Sequence, residues 1–314
     1  MDYEIVKHTL KMFTSNSDFC VFDLETTGKS ATPSAKGTPA KVLQIAARRY
    51  RYDHKDRTVS LLTELNVLIN DPTIEEIDPY LTEHVHHIGM EHIRDAAKAA
   101  EYGAELVEPT VAWNRFSQLL RGAVAMGHNI NWFDIPFAQY DAARWDMTLP
   151  FCTDEGALLP VGYDPKTTGL RSIDTLLVAR LLWHRDNRGK DKAGYRLRSL
   201  ATMLHVKTDP TLDHNALGDI DTNWLVFLAM LDPYLRSFAF RFMPRTRPDG
   251  KQVAPNQYRG MLPKLRDSIP SPTEYAELRL TRDAEAIERA ARSAEGLEEN
   301  TGPDLEAEEG IEVA

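Results

Sequence analysis

The chain has 314 residues, 42% hydrophobic and 27% charged, a balance that excludes wholesale disorder and leaves enough apolar mass for a sizeable core. The formal net charge is −10, and the only cysteines are Cys20 and Cys152, too few for a disulfide framework and too far apart for a zinc ribbon or finger. No apolar run approaches the roughly 18 residues of a membrane span, and MDYEIVKHTLKMF lacks the basic start, apolar run and cleavage site of a signal peptide, so the expectation is a cytoplasmic protein of a reducing compartment, with no membrane partner.

Phe19 to Leu24 (FCVFDL) reads as a short buried strand, and Val42 to Tyr52 and Ser60 to Ile69 as two more, joined by the turn-like YDHKDR; the three predict an antiparallel meander. A helix is expected over Thr110 to Arg121 and a buried strand over Ala123 to Gly127. Helices are expected over Trp132 to Trp145, Ser172 to Trp183, Tyr195 to His205 and Asn215 to Leu231. Strands first, then alternation with helices, predict an α/β layered domain. The charge is uneven: residues 233–280 hold 9 basic and 4 acidic side chains among prolines and aromatics, whereas 281–314 hold 3 basic and 11 acidic and no aromatic residue. The expected organisation is therefore a globular unit over 1–232, a basic extension over 233–280 and an acidic, disordered tail over 281–314. There is no internal repeat.

Three places concentrate chemistry. In Val21-Phe22-Asp23-Leu24-Glu25, strand alternation sends Asp23 and Glu25 to one face, their Cα atoms about 7 Å apart. Two carboxylates on an apolar strand repel one another, and a hard cation such as Mg²⁺ or Mn²⁺ would relieve them; taken alone, the pair equally fits an edge strand with a wet face. In Gly127-His128-Asn129-Ile130-Asn131-Trp132-Phe133-Asp134, a strand ends and a helix begins. Asn129 or Asn131 is a potential cap, and Asp134 falls where the helix dipole favours negative charge. In Asp213-His214-Asn215-Ala216-Leu217-Gly218-Asp219, Asp213 is a potential cap and Asp219 lies one turn into a helix. His214 and Asp219 would stand about 140° apart on one regular helix, so His214 must sit at or before its start.

In order along the chain, Asp23-Leu24-Glu25-Thr26-Thr27-Gly28, His128-Asn129 with Phe133-Asp134, and His214-x-Ala-x-x-Asp219 resemble the DEDDh exonuclease superfamily, which includes the proofreading ε subunit of bacterial DNA polymerase III, RNase T, oligoribonuclease and exonuclease I. Leu68-Ile69-Asn70-Asp71-Pro72, His87-Ile88-Gly89, Ile173-Asp174-Thr175 and Tyr195-Arg196-Leu197-Arg198-Ser199-Leu200-Ala201 add weaker likenesses, and the resemblance runs from Asp18 to Leu231. It implies an RNase H-like fold with a mixed sheet and a two-metal 3′–5′ exonuclease. Asp23, Glu25, Asp134 and Asp219 would hold two Mg²⁺ or Mn²⁺ ions, and His214 would be the general base. Thr26, Thr27, Asn129 and Phe133 would lie beside the terminal nucleotide, and 5′-mononucleotides would be released. The expected substrate is the 3′ end of single-stranded DNA, with a polymerase or another replication or repair protein as a further partner. An exoribonuclease of the same superfamily and a silent nucleic-acid-binding scaffold are the alternatives.

The chain departs from the proofreading subunits in a longer loop after Gly28, which carries Lys29, Lys36 and Lys41 and no acid, a composition suited to phosphate contact or to a solvated loop. Gly28-Lys29-Ser30 mimics the end of a P-loop, but Asp23 stands where that motif needs glycine. His184-Arg185-Asp186 mimics a kinase loop without its asparagine. His84, His86, His87 and His92 cluster without a zinc motif. The five tryptophans are expected to be mostly core, Cys20 and Cys152 inert, and Gly28 the site of a turn.

Overall fold

A computed structural model describes residues 2–31, 39–165, 167–183, 195–208 and 216–231. His214, with Asp213 and Asn215, lies outside the described residues, as do Lys36, His184-Arg185-Asp186 and the segments 233–280 and 281–314. Among the described residues no helix is long and apolar enough to cross a membrane.

The strands are β1 (Asp18–Thr26), β2 (Val42–Asp53), β3 (Thr58–Ile69), β4 (Glu105–Val107), β5 (Val124–Gly127) and β6 (Ser172–Asp174), in the sheet order β4-β3-β2-β1-β5-β6. β1, β2 and β3 form the expected antiparallel meander, while β4, β5 and β6 each join in parallel. The helices are α1 (Asp2–Thr14), α2 (Pro79–His84), α3 (Ala96–Tyr102), α4 (Pro109–Leu120), α5 (Asp134–Ala143), α6 (Thr175–Trp183), α7 (Leu197–Met203) and α8 (Ala216–Met230). This is the mixed-sheet α/β arrangement of the RNase H-like fold.

β1 is central and apolar on both faces because both faces are covered. Cys20, Phe22 and Leu24 pack with Trp113 and Phe116 of α4 and with Ile135 and Phe137 of α5. Phe19 and Val21 point the other way, into a second core containing Met12 and Phe13 of α1, Val178 of α6 and Trp224 and Phe227 of α8. Trp224 closes that core by stacking on Tyr50, with ring centroids 5.2 Å apart, and by contacting Phe19 at 5.4 Å.

The structure corrects several expectations. Ser172–Asp174 is not the start of a helix: it forms β6 beside β5, and α6 begins at Thr175. The helix expected from Trp132 begins at Asp134, and neither Asn129 nor Asn131 caps it, since its N-cap position is Phe133 with no side-chain bond. Trp113 and Trp224 are core, but Trp132 is 44% exposed. Gly28 has no left-handed backbone; a Cβ there would stand 3.1 Å from that of Ala40, so close packing of the loop is what favours glycine. Cys20 is buried, which pushes its thiol up to about 12, in keeping with an inert role.

Candidate active site

Pairing of β1 with β5 ends at Val21 and Met126, and β1 runs on alone on that side. Here its sequence changes from apolar to acidic. Asp23 and Glu25 continue the face of Phe19 and Val21, the face covered by α8. Ile220 and Trp224 anchor α8 in that core and bring Asp219 in its first turn to the same end of β1. Asp134 arrives from the other face of the sheet, where α5 packs with Cys20, Phe22 and Leu24. Its Oδ1 accepts from the Leu24 N–H at 3.1 Å, taking the bond for which β5 is no longer present.

The electrostatics reflect this convergence. Burial pushes Asp23 well above the ordinary carboxylate range, and the charges of Asp134, Glu25 and Asp219 push it further. Glu25 is raised by burial, then by Asp219 and Asp134. Asp134 is raised by burial despite its bond from Leu24. Among the described residues, the charged neighbours acting on Asp23 and Glu25 are all acids, and no cation offsets them. The four acids therefore meet electrostatically. Among the described residues, no group of three or more His, Cys, Asp or Glu is arranged as it stands to hold a metal ion. The donor chemistry nevertheless suits Mg²⁺ or Mn²⁺: four carboxylates, all oxygen, together carrying the charge of two divalent cations, in a setting that disfavours their ionisation without one.

The remaining expected site residues border this end of the sheet. Thr26 is buried, and its hydroxyl donates to the Gly28 carbonyl at 2.6 Å; the Thr27 hydroxyl accepts from the Lys41 N–H at 2.9 Å. Both close the base of the loop after β1. Lys41 Nζ is occupied at Thr73. Phe133 is half-buried with its ring 4.6 Å from that of Phe137, a wall of the apolar layer beneath the acids. Asn129 has a φ of +68°, a left-handed turn in which asparagine is at home.

That turn depends on a residue whose part the sequence did not disclose. Asp174, 4% exposed at the end of β6, accepts from the N–H groups of Asn129 at 3.0 Å and Asn131 at 3.2 Å, and from those of Leu176 and Leu177 at 3.0 and 3.3 Å. One carboxylate thus caps α6 and holds the segment leading to Asp134. An Asp just before the apolar run Thr175–Trp183 is the available signal, since it matches a helix N-cap. A second tie joins His128 to α8. Its Nε2 lies 2.8 Å from the Tyr195 carbonyl and its Nδ1 3.0 Å from Thr175 Oγ1, which in turn bonds the side chain of Asn223 at 2.7 Å. Asn223 stands one turn after Asp219. Burial pulls the His128 pKa down to about 4, so the ring is a neutral strut.

The histidine cluster divides: His84 and His87 are exposed, whereas His86 and His92 serve local backbone. His86 is buried, with Nδ1 accepting from Ile88 N–H at 3.0 Å, and His92 Nδ1 accepts from Gly89 N–H at 2.8 Å.

The family model described as RNase T exonuclease matches residues 20–227 of the chain. No curated protein matches in sequence. Among solved structures, cell-death related nuclease 4 (CRN-4) aligns at 13% identity and a TM-score of 0.46, covering 69% of this chain and 64% of that one, so the chain spans less than two thirds of its length. The 3′-exonuclease solved for recognition of the histone mRNA stem-loop aligns at 9% identity and a TM-score of 0.44, covering 68% of this chain and 81% of that one. The nuclease domain of 3′hExo, a DEDDh family member bound to rAMP, aligns at 10% identity and a TM-score of 0.42, covering 68% and 92%.

Proposed function

The chain belongs to the RNase T exonuclease family, within the DEDDh superfamily, and from that premise we propose that it removes nucleotides one at a time from the 3′ end of single-stranded DNA, releasing 5′-mononucleotides. The observation that supports this reading is the meeting of Asp23, Glu25, Asp134 and Asp219 at the carboxyl end of β1, with no cation among the described residues to neutralise them.

These four acids would hold two Mg²⁺ or Mn²⁺ ions, which when bound supply Lewis-acid activation of water and charge neutralisation at phosphorus. His214 takes the proton of the attacking water; an ordinary imidazole pKa of about 6.5 suits that transfer near neutrality. Thr26, Thr27 and Asn129 fix the terminal nucleotide, and Phe133 supports its base. The catalytic unit is residues 1–232, with 233–280 and 281–314 as appendages to it.

The test is a panel of end-labelled DNA and RNA oligonucleotides with Mg²⁺, Mn²⁺ or chelator, on wild type, Asp23→Ala and His214→Ala. Mononucleotides should leave the 3′ end of DNA faster than that of RNA, and the chelator and Asp23→Ala should stop release. His214→Ala should slow release about 10²- to 10⁴-fold, the usual range for a general base. A wild-type speed for His214→Ala removes that residue from the mechanism. Faster release from RNA reassigns the substrate, and tight binding without hydrolysis under any metal reduces the protein to a scaffold.

A further inference from the structure

α7 and α8 enclose a cavity of about 400 Å³, lined by Arg198, Thr202, Lys207, Asp219, Asp221 and Leu225 among others. We propose that this cavity is the track for the phosphate backbone of the substrate strand on the 5′ side of the scissile bond, with Arg198 and Lys207 contacting its phosphates; it rests on the exonuclease reading above and deepens it.

Position is the first argument. Asp219 lines the cavity and also acts electrostatically on Asp23 and Glu25, so the cavity opens from the acid cluster itself. Phe133 and α5 pack on the face of β1 opposite to α8, so the residue assigned above to the terminal base lies across the acids from the cavity. A strand that places its last nucleotide there and its scissile phosphate at the acids has its next phosphates beside α7 and α8.

Charge is the second. A chain with a net charge of −10 repels a polyanion unless its path is locally positive. Arg198 and Lys207 supply that sign beyond the acids. The other acid of the lining, Asp221, is already paired with Arg48 and bonded by the Tyr50 hydroxyl, so its charge opposes a phosphate less than the lining alone suggests. Leu200 and Ala201, buried in the core, fix the helix that carries Arg198.

The lining is the third. Among the described residues it holds no aromatic, Asn, Gln or His side chain. It has nothing to stack on a base and little to read one with, whereas guanidinium and ammonium groups match phosphate oxygens. The track is therefore indifferent to sequence and sensitive to salt, with a volume in the ordinary range of ligand pockets.

The test uses the full chain, and Arg198→Gln, Lys207→Glu and the double variant, each checked by thermal melting. Binding of 5′-fluorescein-dT10 in EDTA is followed by anisotropy across a salt series. Hydrolysis with Mg²⁺ is compared for dT10, dT3, which has one phosphate on the 5′ side of its scissile bond, and the p-nitrophenyl ester of thymidine 5′-phosphate, which has none. The double variant should bind dT10 about tenfold more weakly, with a salt slope shallower by about 1.4, since each single-strand phosphate contact contributes about 0.7. Its loss in kcat/KM should grow from ester to dT3 to dT10. An equal loss on all three substrates, or an unchanged salt slope, overturns the track. Absence of hydrolysis by wild type removes the exonuclease reading instead, and the anisotropy series still reads the groove.

Discussion

The Asp134 carboxylate accepts the hydrogen bond of the Leu24 N–H at 3.1 Å, across 110 positions of the chain. It serves the sheet as a replacement for a ladder bond and the site as one of four acids. Asp134→Asn keeps an acceptor oxygen for Leu24 and removes the charge, while Asp134→Ala removes both. Both variants should lose roughly 10³-fold in activity, the scale of a missing electrostatic group. Only the alanine should also lose protection of the Leu24 amide from hydrogen exchange; equal protection in the two would show that the bond has no structural part.

Asp23, Glu25 and Asp134 all have folded pKa values raised by burial, and each also by neighbouring acids, Asp174 in the case of Asp134; Glu25 and Asp134 are raised to about 8. Such a native state binds more protons than the unfolded chain between about pH 4 and 8, so stability falls as pH rises through that window. The melting temperature of the metal-free protein should drop between pH 5 and pH 8, and Mg²⁺ should raise it more at pH 8 than at pH 5. Glu25→Gln should flatten the profile. A melting temperature that climbs over this range in chelator, or ignores Mg²⁺ at pH 8, contradicts the electrostatics of the site.

Asp174 gathers four backbone N–H groups under the segment that delivers Asp134. Asp174→Ala leaves buried donors unpaired and should cost about 3 kcal/mol, read from the denaturation midpoint. Activity should fall as well, because residues 129–134 lose their anchor. Asp174→Asn, with one acceptor oxygen, should lie between; a neutral alanine variant would show that water takes over the bonds.

Much of this arrangement was legible in the sequence because it rests on alternation and spacing. The apolar run from Phe19 with acids at Asp23 and Glu25 marks a strand that carries two carboxylates on one face, and the meander followed from Val42 and Ser60 onward. β6 was hidden because Ser172-Ile173-Asp174 runs without a break into the apolar helix α6, and three residues show no period. β4 is equally short, and its pairing with β3 is set by tertiary contact. α1 carries apolar residues at helical spacing, with Met12 and Phe13 in the core, and has no counterpart among the elements expected from the sequence. Among the acids, chain order distinguished Asp23, Glu25, Asp134 and Asp219; Asp174 stood in the same pocket of chemistry with nothing local to separate it from an ordinary cap.

Arg144 bridges two buried acids, Asp71 at 2.7 Å and Asp141 at 2.5 Å, tying the turn after β3 to α5. Burial pushes Asp141 up, whereas bonds from Thr73 and Arg144 hold Asp71 below its ordinary value. Arg144→Ala strands both carboxylates and should destabilise by about 3 kcal/mol, most at neutral pH and less in acid where they protonate. Chemical denaturation at pH 7 and pH 4 measures this; a loss independent of pH would assign the effect to lost packing.

One consequence follows from the alternation along β1. The same nine residues supply two hydrophobic layers and, at their end, two of the acids. Single replacements can be absorbed one side at a time, but a deletion or insertion within Phe19–Leu24 would exchange the two faces and aim the carboxylates into the layer beneath α4 and α5. Drift in this family should therefore accumulate freely in the identity of the strand's apolar residues while its length stays frozen.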